Sequence, residues 1–166
     1  MPMKRIILTV VLTLLGAVTL PAQQKQLEAF LAQAQGHRVT IDYEYVIAGM
    51  PDITVEGSAV LQDNCFRMEG AGLMILCDAV NIWTLDLDSK EAYIEHAGKM
   101  DYMDYISELT LEDNGWLSGL YNEPISGNLI PFTIKNIQFL PPSGDMTAFT
   151  PDENTFTGDW VITDLR

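Results

Sequence analysis

Few residues in this chain could do chemistry. Two histidines, His37 and His96, two cysteines, Cys65 and Cys77, and a turn pair of aspartates, Asp86 and Asp88, are the candidates. A nucleophile needs a base within hydrogen-bond reach, and the base needs a group that orients it. Neither histidine has a Ser, Cys or Glu at a spacing that suggests such a relay. His37 follows a helical stretch, where an imidazolium helps to cap carbonyls. His96 ends a strand-like run. H-E-x-x-H, C-x-x-C, G-x-S-x-G and a phosphate-binding glycine loop are all missing from the sequence. Asp86 and Asp88 do not complete a calcium loop. No catalytic residue, metal ligand or cofactor is assigned, and the chain reads as a non-enzyme.

The elements that would position these residues follow from periodicity. In "QQKQLEAFLAQAQG" Leu27, Phe30, Leu31 and Ala34 recur at helical spacing and Gly36 ends the run, which predicts a helix over 24–35. The period then drops to two. "VTIDYEYVI", "ITVEGSAVL", "CFRMEG", "LMIL", "NIWTLD" and "AYIE" alternate, separated by "AGMPD", "QDN", "AG", "DAV" and "LDSK". Closing each turn as a hairpin sets Tyr45 opposite Val55, Leu61 opposite Phe66, Phe66 opposite Leu76, Leu76 opposite Trp83, and Trp83 opposite Ile94. All five hairpins then keep the apolar residues on one face. A one-residue slip turns a whole strand over, so this agreement predicts a six-strand antiparallel meander from Val39 to Glu95 with one dry face. The hairpin centred on Ala71 also sets Cys65 opposite Cys77 on the other face. A disulfide and two free thiols are both open readings of that pair.

Further on, "MDYMDYISELTL" places Met103, Ile106 and Leu109 or Thr110 at helical spacing after Asp101, which predicts a second helix over 101–112. "NGWLSGLYNEPISGN" reads as a loop with a short helical turn. "IPFTIKNIQFL" reads as a strand with a bulge, and "MTAFT" and "TFTGDWVITDL" as closing strands. Two short helices make a thin cover for a wide apolar sheet face. The space between is either a filled core or a cavity.

Composition narrows the function classes. The chain has 166 residues, enough for one domain, and a formal net charge of −14. Such a surface repels phosphate backbones and anionic headgroups, which excludes nucleic acid as a partner. "MPMKR", then "IILTVVLTLLGAVTL", then "PAQQ" has the order of a secretory signal peptide cleaved after Ala22. Residues 1–22 are therefore read as signal peptide and 23–166 as a single exported, periplasmic domain.

"GSAVLQDNCFRMEG" followed by "LCDAVNIWTLD" resembles the central signature of the LolA-type outer-membrane lipoprotein carriers. Gly57, Phe66 and Arg67 match its first part, and Asp78, Ile82 and Trp83 its second. The tail "DWVITDLR" is similar to the family's closing strand. Met68 stands where the family often has Trp, Ala79 replaces a Gly, and "QDN" lacks the family's basic residue and proline. The resemblance implies an α+β fold: a half-open antiparallel β-barrel, a curved meander with helices forming a lid on its concave face. It implies a monomeric chaperone-like carrier of lipoprotein acyl chains across the periplasm, loaded by an inner-membrane lipoprotein-releasing transporter. The cavity wall would be Tyr43, Val55, Phe66, Met68, Met74, Leu76, Trp83, Leu85 and Ile94, under a lid carrying Phe30, Leu31 and Ile106. The other reading is a lipid-sensing or protein-interaction module of the cell envelope with a filled core.

Overall fold

The computed structural model describes residues 21–98, 105–123 and 126–166. The signal-peptide reading of residues 1–20 and the helix start at Asp101 and Met103 lie outside them. A single α-helix, α1 (Pro21–Ala34), precedes ten strands among the described residues. These are β1 (Arg38–Ile47), β2 (Ile53–Gln62), β3 (Cys65–Gly70), β4 (Leu73–Cys77), β5 (Asn81–Asp86), β6 (Glu91–His96), β7 (Ile106–Leu111), β8 (Leu117–Asn122), β9 (Leu129–Leu140) and β10 (Val161–Asp164). They form one open sheet in the order β10-β6-β5-β4-β3-β2-β1-β9-β8-β7. Every pairing is antiparallel except β10 on β6. Among the described residues no helix is long and apolar enough to cross a membrane.

The architecture corrects the expected α+β half-barrel with a helical lid. The molecule is a sheet-dominated, mixed, open structure with one helix among its described residues. The predicted second helix is strand β7 where it is described. The reason is a bulge. Register along β7 shifts by one between Ser107 and Thr110, and Glu108 sits at φ 54°. One extra residue lets Ile106 and Leu111 share a face, with Leu109 beside Leu111, so an i, i+3 step in the sequence imitates a helix. Strand β9 has the same device: the register shifts opposite Thr40–Asp42, with Asn136 at φ 51°. That bulge matches the one expected in "IPFTIKNIQFL". The helical turn expected before it is strand β8 instead.

Four of the five predicted hairpin registers are present. Tyr45 faces Val55, Leu61 faces Phe66, Leu76 faces Trp83, and Trp83 faces Ile94. The fifth is off by one. Phe66 faces Cys77 and Arg67 faces Leu76. The turn consists of two residues, Ala71 at φ 51° and Gly72 at φ 76°, as a primed hairpin turn requires. A two-residue loop has the opposite parity from a loop centred on Ala71, so the single dry face of the prediction becomes two.

On the first face lie Tyr43, Val55, Ala59, Phe66 and Met68, continued across β9 and β8 by Phe139, Ile134, Phe132 and Leu117. On the second face lie Met74, Leu76, Trp83, Leu85, Ala92 and Ile94. From β4 onward the sheet gains this second apolar side, while Leu73, Ile75, Cys77 and Ile82 continue the first.

Candidate functional site

The two apolar surfaces are closed to different degrees. On the second face Leu76, Leu85 and Ala92 are 1%, 0% and 0% exposed, packed under Met74, Trp83, Phe156 and Trp160. The cover comes from the chain between β9 and β10. Phe156 and Trp160 meet edge to face at 5.6 Å. The segment expected as closing strands is therefore mostly turns and a short 3-10 helix, Thr147–Phe149, with a strand only at Val161–Asp164. Its aromatic spacing resembles an alternating strand, but its rings serve as plugs.

This cover is pinned at its start. Gln62 is a buried polar residue, and its Nε2 donates to Ser143 O at 2.8 Å. Its Oε1 accepts from Ser143 N–H and from Arg38 Nε, each at 3.0 Å. Arg38 Nη2 donates to Asp145 O, and the guanidinium lies 5.3 Å from the centre of the buried Phe149 ring. A charged hydrogen-bond fork and an aromatic face thus hold one end of the segment.

The first face has a lighter cover. Helix α1 reaches it through Phe30, whose ring meets Phe139 edge to face at 5.3 Å, and His37 sits 6.1 Å from the same ring. Val39, Val55, Ala59 and Leu117 are buried on this face, but Tyr43, Tyr45, Phe66, Met68, Phe132 and Ile134 are only half-buried. Aromatic rings lie flat here. A Cβ on Gly57 would collide with the Tyr43 ring, and one on Gly70 would come within 2.8 Å of its hydroxyl. Tyr43 therefore rests across two glycines, donating its hydroxyl to Glu69 O at 3.2 Å and stacking on Tyr45 at 6.3 Å. Burial first, then the neighbouring Tyr45 and Glu69, push its phenol up from the ordinary value. Phe132 lies over Gly119 in the same way, 2.8 Å from where a Cβ would be. Glycines opposite aromatic residues make a smooth, low floor.

The expected binding residues are thus divided. Tyr43, Val55, Phe66 and Met68 stand on the first face. Met74, Leu76, Trp83, Leu85 and Ile94 stand on the second, beyond the register step, so the nine do not line one wall. Phe30 and Leu31 are on α1, whereas Ile106 is on an edge strand and not on a helix. Phe132, Ile134 and Phe139 join the first-face group. They were legible as a strand but not as neighbours of Tyr43, because β9 returns from far along the chain to pair with β1.

The cysteines are free thiols. Phe66, not Cys65, faces Cys77, so the register that set the two cysteines opposite each other is absent, and of the two open readings the structure has the free thiols. Burial pushes both thiols above their usual range. The neighbouring Cys77 and Asp78 add to the rise at Cys65, and a backbone N–H bond from Ala79 partly offsets it at Cys77. The polar faces hold ordinary ion pairs: Lys135 with Glu44, and Arg67 with Glu69. Asp86 accepts N–H groups from Asp88 and Ser89 in its turn. Among the described residues no three His, Cys, Asp or Glu side chains come together to hold a metal.

No protein-family model matches the chain, and no curated protein matches it. Among solved structures it is similar to the crystal structure of an uncharacterized conserved protein from Thermus thermophilus. The two share 6% identity at a TM-score of 0.49, over 84% of this chain and 99% of that one.

Proposed function

We propose that the protein is a non-catalytic binder of acyl chains in the cell envelope, carrying lipidated proteins in transit to the outer membrane. One observation carries this reading. Two apolar surfaces share one sheet: the chain seals Leu76, Leu85 and Ala92 on the second, whereas on the first Val39, Val55, Ala59 and Leu117 are buried but Tyr43, Phe66, Met68 and Phe132 stay half-exposed. The half-buried face of Tyr43, Phe66, Met68 and Phe132 under α1 is the binding surface in this reading. Helix α1 borders this surface through the contact of Phe30 with Phe139. Met74, Leu76, Trp83, Leu85 and Ile94 hold the sealed face and are no part of the site. An apolar floor binds hydrocarbon through area removed from water and needs no catalytic group. Export and loading by an inner-membrane lipoprotein-releasing transporter rest on the amino-terminal sequence and the LolA-type resemblance.

The test is native mass spectrometry of the protein purified from an envelope extract, with displacement of a fluorescent fatty-acid probe. Each methylene withdrawn from water is worth about 0.8 kcal/mol, so two fewer methylenes weaken binding by about tenfold. Met68→Glu places a carboxylate on the floor and abolishes probe binding. If no acyl species copurifies and no probe binds, the carrier reading falls, and an interaction module with a filled core takes its place.

A further inference from the structure

We propose that the chain forms a two-fold dimer by pairing strand β10 with β10 of a second copy, in a register centred on Thr163. This inference does not depend on the acyl-binding reading and replaces the monomer expected from the resemblance. Strands β10 and β7 are the two edges of the sheet. An edge strand presents unpaired N–H and C=O groups and is a template for another strand. The β7 edge is broken by its bulge at Glu108, a feature that discourages pairing. β10 has no bulge, no proline and no lysine.

The hydrogen bonds already made by β10 restrict how a second copy can pair. Val161 N–H donates to Lys90 O at 2.9 Å, and Leu165 N–H donates to Ile94 O at 2.8 Å. Odd-numbered residues of β10 thus turn their backbone groups inward to β6, and Ile162 and Asp164 turn theirs outward. Two antiparallel copies can exchange bonds only between outward residues, which allows Ile162 opposite Ile162, Asp164 opposite Asp164, or Ile162 opposite Asp164 of the second copy; of these, only the last sets Val161 against Leu165. Thr163 then faces Thr163 on the two-fold axis, and Val161 faces Leu165. Val161 and Leu165 are 61% and 59% exposed, so two apolar pairs flank the axis. Asp164 does not bring a bare charge against Ile162. Arg166 already holds its carboxylate at 2.6 Å, and Arg166 Nη1 also reaches Asn81 Oδ1 at 3.4 Å. The same register sets Arg166 across from Trp160. The interface is isologous: each contact occurs twice. Hydrogen-bond parity, apolar matching and charge compensation select one register.

The net charge of −14 on each chain opposes association, so screening favours the dimer. Sedimentation of the full chain should show twice the monomer mass in about 0.5 M salt and dissociation at low salt. Leu165→Lys, at an exposed position, should leave a folded monomer. Thr163→Cys should form an interchain disulfide under a mild oxidant, because a non-hydrogen-bonded pair brings the two Cβ atoms close. Ile162→Cys should crosslink about tenfold more slowly. Mapping the linked peptide to the carboxyl-terminal segment separates this bond from one through Cys65 or Cys77. A monomer at all salts, a dimer indifferent to Leu165→Lys, or Ile162→Cys crosslinking as fast as Thr163→Cys would each overturn the proposal.

Discussion

The sheet is two half-sheets that make different use of their faces. From β1 to β3, and on through β9 and β8, the apolar side chains stand on the first face, with Asp42, Glu44 and Glu56 behind them. From β4 to β6 Met74, Leu76, Trp83, Leu85, Ala92 and Ile94 stand on the second face, while Leu73, Ile75, Cys77 and Ile82 share the first with Thr84, Asp86 and Glu91. The step between them is one residue at Ala71-Gly72. The second half is closed by Phe156 and Trp160, on a segment whose start is pinned to the first half by Gln62 and Arg38 and by the buried Phe149. The first half has a helix that meets it through the edge-to-face contact of Phe30 with Phe139 and through strand β7. Neighbouring strands with similar composition can therefore serve as core or as an accessible surface, depending on which segment returns to cover them.

Matched truncations are the strongest way to break this comparison. Leu85→Ala on the sealed face should cost roughly 3 kcal/mol in chemical denaturation, because the site is fully buried and leaves a cavity. Met68→Ala on the first face should cost about 1 kcal/mol or less and alter probe binding instead. Equal losses would mean that both faces are packed alike. Gln62→Ala should cost roughly 1–3 kcal/mol, since Ser143 and Arg38 lose a buried partner. Faster proteolysis between 141 and 160, with α1 unaffected, would assign that loss to the second-face cover.

The turn that divides the halves gives a smaller effect of opposite sign. Ala71→Asn should stabilise the protein by about 0.5–1 kcal/mol, because asparagine tolerates the left-handed backbone that alanine is forced into. A loss of stability there would argue against the two-residue turn and its register. Both thiols are buried and shifted toward the neutral form, so alkylation at neutral pH should be slow until the protein unfolds. Rapid labelling of either thiol would show that the end of the β3–β4 hairpin is open.

The smallest expected effect lies at Asp164, whose carboxyl Arg166 holds at about 2, below the ordinary value of 3.8. Its folded-state value is depressed, so its contribution is present above the unfolded value and is lost as pH falls toward 2. A carboxyl-carbon titration should show that depressed midpoint, and Arg166→Ala should return it toward the ordinary range.

Much of this was legible in the residues, and the failures have physical causes. Alternation located β1 to β6, because every second side chain must find the same environment. Turn chemistry set four of the five registers. The fifth failed at "EGAG", where loops of two and three residues differ by little in sequence but invert every side chain beyond them. Ile106 and Leu109 looked helical because a bulge at Glu108 inserts one residue into a strand. The candidate site was half legible: Tyr43, Val55, Phe66 and Met68 share a face, as expected, while Trp83 and its neighbours moved to the other.

The sequence by itself determined strands β1 to β6 and β9, the amino-terminal helix, the acidic surface and the scarcity of catalytic groups, since these follow from local periodicity and composition. The tertiary structure decided which face each half of the sheet buries, that β9 sits beside β1, and that Phe156 and Trp160 close one side while the other keeps a single helix. Those outcomes depend on loop parity and on segments distant in the chain packing together, and no local window of residues contains that information.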